Sequence, residues 1–361
     1  MNRRLPRVIS SSAVCLAMAC SGAGPQPSDG DAGGPAAGGQ AASAAGATSA
    51  GNASGETTNA VGGPGASGSA SGDTPGGGAG ALGGGGASGN VSRAGAASGG
   101  VASGGATSIA VPAGYKLVWH DEFDVDGPPN PANWKFETGF VRNEEAQWYQ
   151  ADNASVQGGL LSIEARRERV ENPKYTGKGD WKTTRQYAEY TSSSMLGSGL
   201  QAWQYGRFEM RGRIPISAGM WPAWWTLGVS GEWPSNGEID IMEFYQGKVL
   251  ANVACGTSTR YSAKWDSQTK QVSTLGANWS TQFHVWRMDW DAQQIVLYLD
   301  DQEMNTATLA SMLNSDGTSP FQQKAYMLLN LAIGGMNGGD PAGTTFPQRY
   351  EVDYVRVFQK Q

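Results

Sequence analysis

Three carboxylates lie close together in a short apolar segment of the chain. Glu238, Asp240 and Glu243 occur within residues 237–244, whose other members are glycine, isoleucine, methionine and phenylalanine. Such a segment is typical of a buried β-strand, where an ionised carboxylate costs several kcal/mol unless something compensates it. Three of them together indicate a site that uses their mutual repulsion and shifted pKa values. The chemistry that fits is catalysis by paired carboxyl groups, as in the hydrolysis of glycosidic bonds.

The spacing of these acids does not fit a regular strand. Side chains alternate between the two faces of a strand, so Glu238 and Asp240 share a face from which Glu243 should point away. One extra residue, accommodated as a β-bulge at Ile241 or Met242, would return Glu243 to that face. The spacing therefore predicts a bulged strand with its three acids on one wall. The Cα atoms of Glu238 and Glu243 would lie four strand steps apart, roughly 13 Å.

Two carboxyl groups about 5–5.5 Å apart support hydrolysis with retention of configuration, in which one attacks the anomeric carbon while the other donates and then accepts a proton. Glu238 and Glu243 are the candidates for this pair. Asp240, between them, would hydrogen-bond the nucleophile and keep a charge near the acid. The alternative is a strand whose acids face solvent, and its large apolar neighbours argue against that. Spacing alone does not say which glutamate attacks.

The motif at 238–243, E-I-D-I-M-E, resembles the E-x-D-x-x-E signature of glycoside hydrolase family 16. In that family the first glutamate is the nucleophile and the last is the acid/base, which carries over onto Glu238 and Glu243, with Asp240 assisting. The shorter E-x-D-x-E form of lichenases and xyloglucan-active members is absent. Further matching blocks lie at 119–124, 143–149, 205–211, 220–225, 329–335 and 352–357. Together they are most similar to laminarinase-like members, which are endo-β-1,3-glucanases.

Composition divides the chain into three parts. Residues 1–110 contain no Phe, Trp or Tyr, while all 13 tryptophans lie in the rest. Residues 1–20 combine three arginines with a mildly apolar stretch, which is typical of a secretory signal peptide and too short to span a bilayer. Residues 21–110 are rich in Gly, Ala and Ser and predict a disordered linker. Only residues 111–361 can bury a core, so they form the predicted catalytic domain.

Cys20 at the end of the signal leaves two interpretations open. Its position after Ala19 resembles a bacterial lipobox, in which the cysteine becomes the lipidated first residue, although Ala17 stands where that pattern prefers leucine. The protein is then either an outer-membrane lipoprotein whose membrane contact is this anchor, or plainly secreted. Both interpretations predict an extracellular or cell-surface monomer. Only Cys20 and Cys255 can outlast the signal, so no disulfide framework is expected within the domain.

Charge and histidine content limit the partners. The chain has 26 basic and 32 acidic residues, a formal net charge of −6, and 2 histidines. The negative charge disfavours nucleic acid as a partner. Two histidines without zinc-ligand spacing do not form a His-rich metal site. We therefore expect a polysaccharide partner and no cofactor for catalysis.

The fold prediction follows from short alternating segments punctuated by Gly, Pro, Asn and Asp. The clearest are residues 160–165, 206–213, 294–299 and 350–358. They are typical of an all-β domain, and the best helical candidate is a turn or two within 304–313. The pattern predicts a β-sandwich. The family resemblance implies the jelly-roll, concanavalin A-like form, with substrate lying across the concave sheet.

Aromatic side chains are expected on the floor of such a cleft, because sugar rings present apolar C–H faces that stack on tryptophan. Trp221, Trp225 and Trp233 are the candidates. Trp221 and Trp225 share strand parity, so Trp224 should face the core. Trp233 also matches a position where the family stacks a sugar beside the scissile bond. For each of the three, ordinary core packing is the alternative.

Polar candidates for substrate binding come from the same resemblance. Asn143, Glu145 and Asn330 lie in blocks that match family residues at the glycone subsites. Asn143 has the alternative role of capping a turn. Asn330 is harder to explain structurally, because a buried amide within an apolar run needs hydrogen-bond partners.

The resemblance also implies a structural calcium ion, because many family members bind one on the convex face. The matching positions are Glu122, Gly159 and Asp353. Oxygen ligands suit calcium, and catalysis should not require the ion.

One departure from the family bears on the substrate. Laminarinase-like sequences commonly carry a histidine-containing strand after the catalytic one, whereas residues 251–256 here are A-N-V-A-C-G. β-1,3-Glucan is the first expectation, followed by mixed-linkage β-glucan and by an agar- or carrageenan-like galactan. Glycosyl transfer in place of hydrolysis and a non-catalytic glucan-recognition protein are further alternatives. The presence of both catalytic glutamates disfavours the recognition protein.

Overall fold

Two antiparallel sheets dominate the computed structural model, which describes residues 108–361. In chain order the strands are β1 Tyr115–Asp121, β2 Lys135–Phe136, β3 Gln147–Tyr149, β4 Ala154–Gln157, β5 Leu160–Ala165, β6 Val170–Glu171, β7 Tyr187–Ala188, β8 Tyr190–Ser192, β9 Ser194–Leu196, β10 Gly206–Arg213, β11 Met220–Gly228, β12 Glu238–Tyr245, β13 Lys248–Gly256, β14 Ala263–Gln271, β15 His284–Trp290, β16 Gln294–Leu299, β17 Gln302–Thr308, β18 Ala325–Ile333 and β19 Gln348–Lys360. Two four-residue helices, α1 Trp181–Thr184 and α2 Gly335–Gly338, lie in connecting segments.

The acidic strand lies near the middle of the first sheet. Its order is β14-β13-β12-β11-β18-β9-β2. The second sheet has the order β17-β16-β15-β10-β19-β5-β4. In it, β1 pairs with the part of β19 that β5 leaves free. Two small pairs, β3 with β8 and β6 with β7, complete the strands of the described residues.

Alternation along the strands separates the core from the cleft. On β13, Val249 and Val253 belong to the main hydrophobic core, as does Cys255, which is fully buried as a small apolar side chain. Ala251 belongs to the same core, and the residues that alternate with these, including Asn252, therefore point to the opposite face of the sheet. The same rule puts Trp224 in the core, where it is fully buried, as the sequence predicted.

The sandwich confirms the predicted fold class, and the four alternating segments named above lie in β5, β10, β16 and β19. The prediction of a helical turn within residues 304–313 is wrong. That segment begins in β17, where Asn305 and Ala307 are buried and pair in register with β16. Strand pairing decided the conformation because it buries these alternate side chains.

In the described part of the chain, neither helix has the length and apolarity needed to cross a bilayer. The signal peptide at 1–20, the lipid attachment at Cys20 and nearly all of the linker at 21–110 lie outside the described residues. They stay predictions.

Candidate active site

The acidic strand carries the predicted β-bulge. Asp240 pairs with Asn252 and Glu243 with Leu250 on β13, so three steps along β12 match two steps along β13. The register against β11 shifts at the same place. The extra residue therefore falls between Asp240 and Glu243, where the spacing of the acids required it. It returns Glu243 to the concave face that Glu238 and Asp240 occupy.

Glu243 is held by two hydrogen bonds from neighbouring strands. Trp221 Nε1 donates to its Oε1 at 2.8 Å, and Asn252 Nδ2 donates to its Oε2 at 3.0 Å. Burial raises the pKa of Glu243 to about 7; the negative charge of Glu238 adds to the rise, and both hydrogen bonds oppose it. The carboxyl group therefore keeps a proton up to near-neutral pH. That is the state a general acid needs.

Glu238 and Asp240 are buried and interact directly. Burial raises the pKa of Asp240 well above its ordinary value, and the charges of Glu238 and Glu243 add to this rise. Burial also raises the pKa of Glu238, against hydrogen bonds from Trp233 and Asp240 and the positive charge of Arg142. A protonated Asp240 can thus donate to an ionised Glu238, the state a nucleophile needs. This arrangement supports the hydrogen-bonding part of the predicted Asp240 role.

The three predicted substrate-binding tryptophans all lie on the cleft side of the sheet or at its rim. Trp221, Trp225 and Trp233 are only 6–8% exposed, and each indole N–H holds a polar side chain of the site. Trp221 donates to Glu243, Trp233 donates to Glu238, and Trp225 Nε1 donates to Asn330 Oδ1 at 2.7 Å. These hydrogen bonds position Glu243, Asn330 and Glu238, whether or not the indole rings also contact a sugar.

The three polar candidates belong to one hydrogen-bonded network. Asn330 Nδ2 donates to Tyr149 Oη at 3.1 Å, and Tyr149 also hydrogen-bonds Glu145. Gln147 Nε2 donates to Glu145 Oε2 at 2.7 Å, while Asn143 Nδ2 lies 3.5 Å from Glu145 Oε1. Burial raises the pKa of Glu145 to about 6. Asn330 thus has the partners that a buried amide requires.

A cavity of about 490 Å³ lies beside this network, over β9, β11 and β18, and none of the three acids lines it. Trp225, Trp233 and Tyr326 contribute aromatic walls, and Arg142 contributes a positive charge. The guanidinium carbon of Arg142 lies 5.3 Å from the centre of the Trp225 ring. The same guanidinium group forms an ion pair with the carboxylate of Glu137. The volume lies within the range of small-molecule binding sites.

The predicted calcium positions meet where β1 ends and β5 begins beside the same stretch of β19. Their carboxylates already have partners. Glu122 accepts two hydrogen bonds from Arg356, at 2.8 and 2.6 Å, and Asp353 accepts one from Arg211 at 2.6 Å. Among residues 108–361 no cluster of His, Cys, Asp and Glu forms a metal site. In this arrangement arginine side chains engage both carboxylates, and the calcium site at Glu122, Gly159 and Asp353 stays a prediction.

Sequence reasoning missed several residues of the site. Arg142 immediately precedes the matched block at 143–149 and Tyr149 is its last residue, but no spacing rule marks either of them. Asn252 had a usable signal, because strand pairing places it beside Asp240. Asn252 was singled out only as part of a segment that departs from the family, whereas in the structure its side chain hydrogen-bonds Glu243, the acid/base candidate.

Clustered carboxyl groups on a strand beside several tryptophans are suited to the hydrolysis of glycosidic bonds, the reaction of the glycoside hydrolases. Comparison with known proteins narrows the class. The sequence model that defines glycosyl hydrolases family 16 matches residues 143–356, and the chain belongs to that family.

Three similar proteins illustrate the relationship. A β-glucanase of Rhodothermus marinus is 35% identical over 265 residues, which cover 68% of this chain and 85% of the relative. The glucan endo-1,3-β-glucosidase A1 of Niallia circulans is 28% identical over 274 residues, covering 69% of this chain but only 38% of that longer protein. A solved structure from work on endo-acting O-glycanases, which prominent human gut bacteria express to initiate mucin breakdown, is 30% identical. It has a TM-score of 0.65 and covers 71% of this chain and 94% of its own.

Proposed function

We propose that the enzyme cleaves internal bonds of β-1,3-glucan, of the laminarin type, by double displacement with retention of configuration. The observation that carries the proposal is the bulge that places two carboxyl groups of one strand on the same face, in different electrostatic surroundings. Burial raises the pKa of both groups, that of Glu243 to about 7. The charge of Glu238 adds to the rise at Glu243, whereas a hydrogen bond from Asp240 and the positive charge of Arg142 oppose the rise at Glu238. One acid and one nucleophile on the same wall are the requirements of retaining hydrolysis.

In the first step an ionised carboxylate oxygen of Glu238 attacks the anomeric carbon. Glu243 gives its proton to the glycosidic oxygen, so the bond to the leaving sugar breaks as a glycosyl ester forms. The ester removes the charge of Glu238, which had raised the pKa of Glu243. Glu243 is then ionised more readily and can take a proton from the water that hydrolyses the ester. The loss of the negative charge on Glu238 therefore prepares Glu243 for its second role, as the base.

The substrate proposal is supported by the two relatives whose names specify β-glucan or β-1,3-glucan. A second candidate is a galactan or another β-galactoside-containing glycan, cut by the same chemistry. It is favoured by alanine and asparagine in 251–256, where laminarinase-like sequences carry histidine, and by the likeness to the structure from the O-glycanase work. Mixed-linkage β-glucan is the third candidate.

The test is incubation of the purified protein with laminarin, lichenan, agarose, κ-carrageenan and mucin O-glycans, beside a Glu238→Ala control. Oligosaccharides of mixed length from laminarin, formed only by the parent protein, are the expected result. A single small product would contradict the endo mode. Products from a galactan or a mucin glycan in place of laminarin would show that this glycan, and not β-1,3-glucan, is the substrate. Binding with no products anywhere would favour a glucan-recognition protein.

The pH dependence of kcat/KM should show an alkaline limb near pH 7. Glu243 must be protonated in the first step, and burial raises its pKa from 4.5 to about 7, so activity falls as pH increases through that value. Glu238 must be ionised, so activity also falls on the acid side. Initial rates at low substrate concentration across this range check the profile. Full activity at pH 9 would contradict a Glu243 acid, since only about 1% of that carboxyl group would then be protonated.

The cellular part of the proposal is a monomer on the cell surface or outside the cell. It rests on the signal at 1–20 and on Cys20 as the lipid attachment point, with the linker allowing the domain to reach away from the membrane. Labelling of the protein by a radioactive fatty acid, lost in Cys20→Ala, would test the anchor.

A further inference from the structure

His284 is a buried titratable residue in the sheet that does not carry the three acids. It is the first residue of β15 and is only 7% exposed. Its Nδ1 lies 2.6 Å from Asp300 Oδ2, and its Nε2 lies 2.8 Å from the backbone oxygen of Trp279. Both ring nitrogens therefore face oxygen atoms.

These two partners determine the protonation of the ring. A backbone oxygen only accepts hydrogen bonds, so Nε2 must carry a proton. The carboxyl group of Asp300 already accepts from the backbone N–H of Val285 at 2.9 Å and is a stronger acid than imidazolium, so Nδ1 carries a proton as well. A ring that donates from both nitrogens is a cation. The geometry thus defines a buried ion pair between His284 and Asp300.

The pKa of each partner moves in the direction that this ion pair requires. Burial disfavours the charged ring, but the hydrogen bonds to Asp300 and Trp279 and the charge of Asp300 outweigh it, so the pKa of His284 is raised above its ordinary value of 6.5. Burial also disfavours the carboxylate, yet hydrogen bonds from His284 and Val285 lower the pKa of Asp300. His284 therefore holds its proton more tightly than an exposed histidine does.

The backbone of Asp300 adopts a conformation that serves this contact. Asp300 and Asp301 form the two-residue turn between β16 and β17, with φ angles of 49° and 61°. Left-handed conformations are unfavourable for most residues that carry a side chain, and glycine is common in such turns. The side chain of Asp300 gives a reason for an aspartate here, because it binds both His284 and the backbone of Val285.

The third partner, Trp279, lies in the segment that connects the two sheets. This segment, residues 272–283, leads from β14 at the edge of the first sheet to β15 in the second. The rings of Trp279 and His284 are stacked, with centroids 4.4 Å apart and 19° between their planes. An aromatic face stabilises a cation beside it. The charged ring therefore holds the connecting segment through one hydrogen bond and one stacked contact.

The other charged groups around His284 are engaged elsewhere. Residues 272–283 include no titratable side chain. β12 packs against β15, but its acids point to the concave face. Three arginines of β10 and β15 have carboxylate partners of their own: Arg211 with Asp353, Arg213 with Glu351 and Arg287 with Asp301. Arg213 Nη1 also donates to Thr281 O at 3.2 Å, which gives the segment an attachment that does not involve His284.

We propose that His284 and Asp300 form a pH-sensitive latch that fastens the segment 272–283 to the second sheet. The latch is closed while the ring carries both protons. Because the pKa of His284 is raised in the folded state, the stabilisation is complete below about pH 6.5 and is lost as the pH rises through the folded-state value. The segment then loosens but stays attached through Arg213. The device does not depend on the substrate or on the roles of the three acids.

Nuclear magnetic resonance can follow this ring alone, because the chain has only two histidines. In His120→Gln, which removes an exposed ring, the remaining histidine signals belong to His284. We expect a titration midpoint above pH 6.5 and, below it, the nitrogen shifts of a doubly protonated ring. Adding Asp300→Asn should lower the midpoint by at least about one unit, since burial then acts without the opposing charge. A midpoint at or below 6.5 in the first variant, or one that Asp300→Asn leaves unchanged, would overturn the latch.

Thermal unfolding measures the effect on the fold. The melting temperature of His284→Gln is compared with that of the parent at pH 6 and at pH 9, with His120→Gln as the control that should follow the parent. The advantage of the parent over His284→Gln should shrink by about 2–4 °C between these values, because the parent loses its charged ring over that range. Titration of the active-site acids is common to both proteins and cancels. An advantage that is the same at both pH values would reduce His284 to a packing role.

Hydrogen exchange locates the loss. At pH 6, peptides from residues 272–283 should exchange several-fold faster in His284→Gln than in the parent, and at pH 9 the two proteins should be alike in this segment. Faster exchange spread evenly over all peptides would show a global destabilisation and would overturn a latch on this segment.

Discussion

Replacing the nucleophile should have the largest effect of any single substitution. In Glu238→Ala we expect hydrolysis of the polysaccharide to fall by at least about a thousandfold, because no other group can form the glycosyl ester. The three acids occupy one wall, but the raised pKa of Asp240 favours its protonated form and Glu243 is the proposed proton donor, so we expect neither to replace Glu238. Product release measured with the parent, the variant and an exposed-glutamate control, Glu144→Ala, checks the loss.

Added azide tests the role more sharply than the loss of rate. The alanine leaves space beside the anomeric carbon, so azide can attack an activated β-glycoside directly. The expected product is the α-glycosyl azide, of inverted configuration, which proton NMR distinguishes from the β form. A β-glycosyl azide from this variant would instead assign the nucleophile to another residue.

Replacing the acid/base should give the second-largest effect, with a different signature. Glu243→Ala should lower polysaccharide cleavage by about a hundred- to ten-thousandfold, because the glycosidic oxygen then leaves without a proton. Dinitrophenyl glycosides need little protonation, so their first step should survive. A burst of dinitrophenol followed by slow turnover is expected, because the second step has lost its base.

The pH profile gives this prediction an internal control. With the activated substrate, the alkaline limb near pH 7 should disappear in Glu243→Ala, since the group with the raised pKa is gone. Azide should now intercept the glycosyl ester and give the β-glycosyl azide. An alkaline limb that persists unchanged would show that another group titrates there.

The sequence predicted those parts of the site that depend on a single strand. The two-residue period of side chains was enough to require a bulge between Asp240 and Glu243 and to send Trp224 into the core. It also placed β5, β10, β16 and β19, because side chains alternate along each of them. Local pattern is reliable there because one face of each strand is buried.

The parts that were missed depend on contacts between distant segments. Tyr149 reaches Asn330 because β3 lies beside the cleft, and no local pattern specifies that hydrogen bond. The arginine partners of Glu122 and Asp353 likewise become visible only when β10 and β1 pair with β19.

The bulge also makes the catalytic arrangement independent of the number of residues between the acids. Glu238 and Glu243 lie opposite Ala254 and Leu250, which are four residues apart on β13, although the acids themselves are five apart. Removing one residue from the bulge would give a regular strand on which two-residue alternation still places all three acids on one face. Its partners on both sides could keep their register. The neighbouring strands, and not the number of residues in the bulge, therefore set the distance across the site. Two sequences that differ by one residue at this point can have the same reactive geometry.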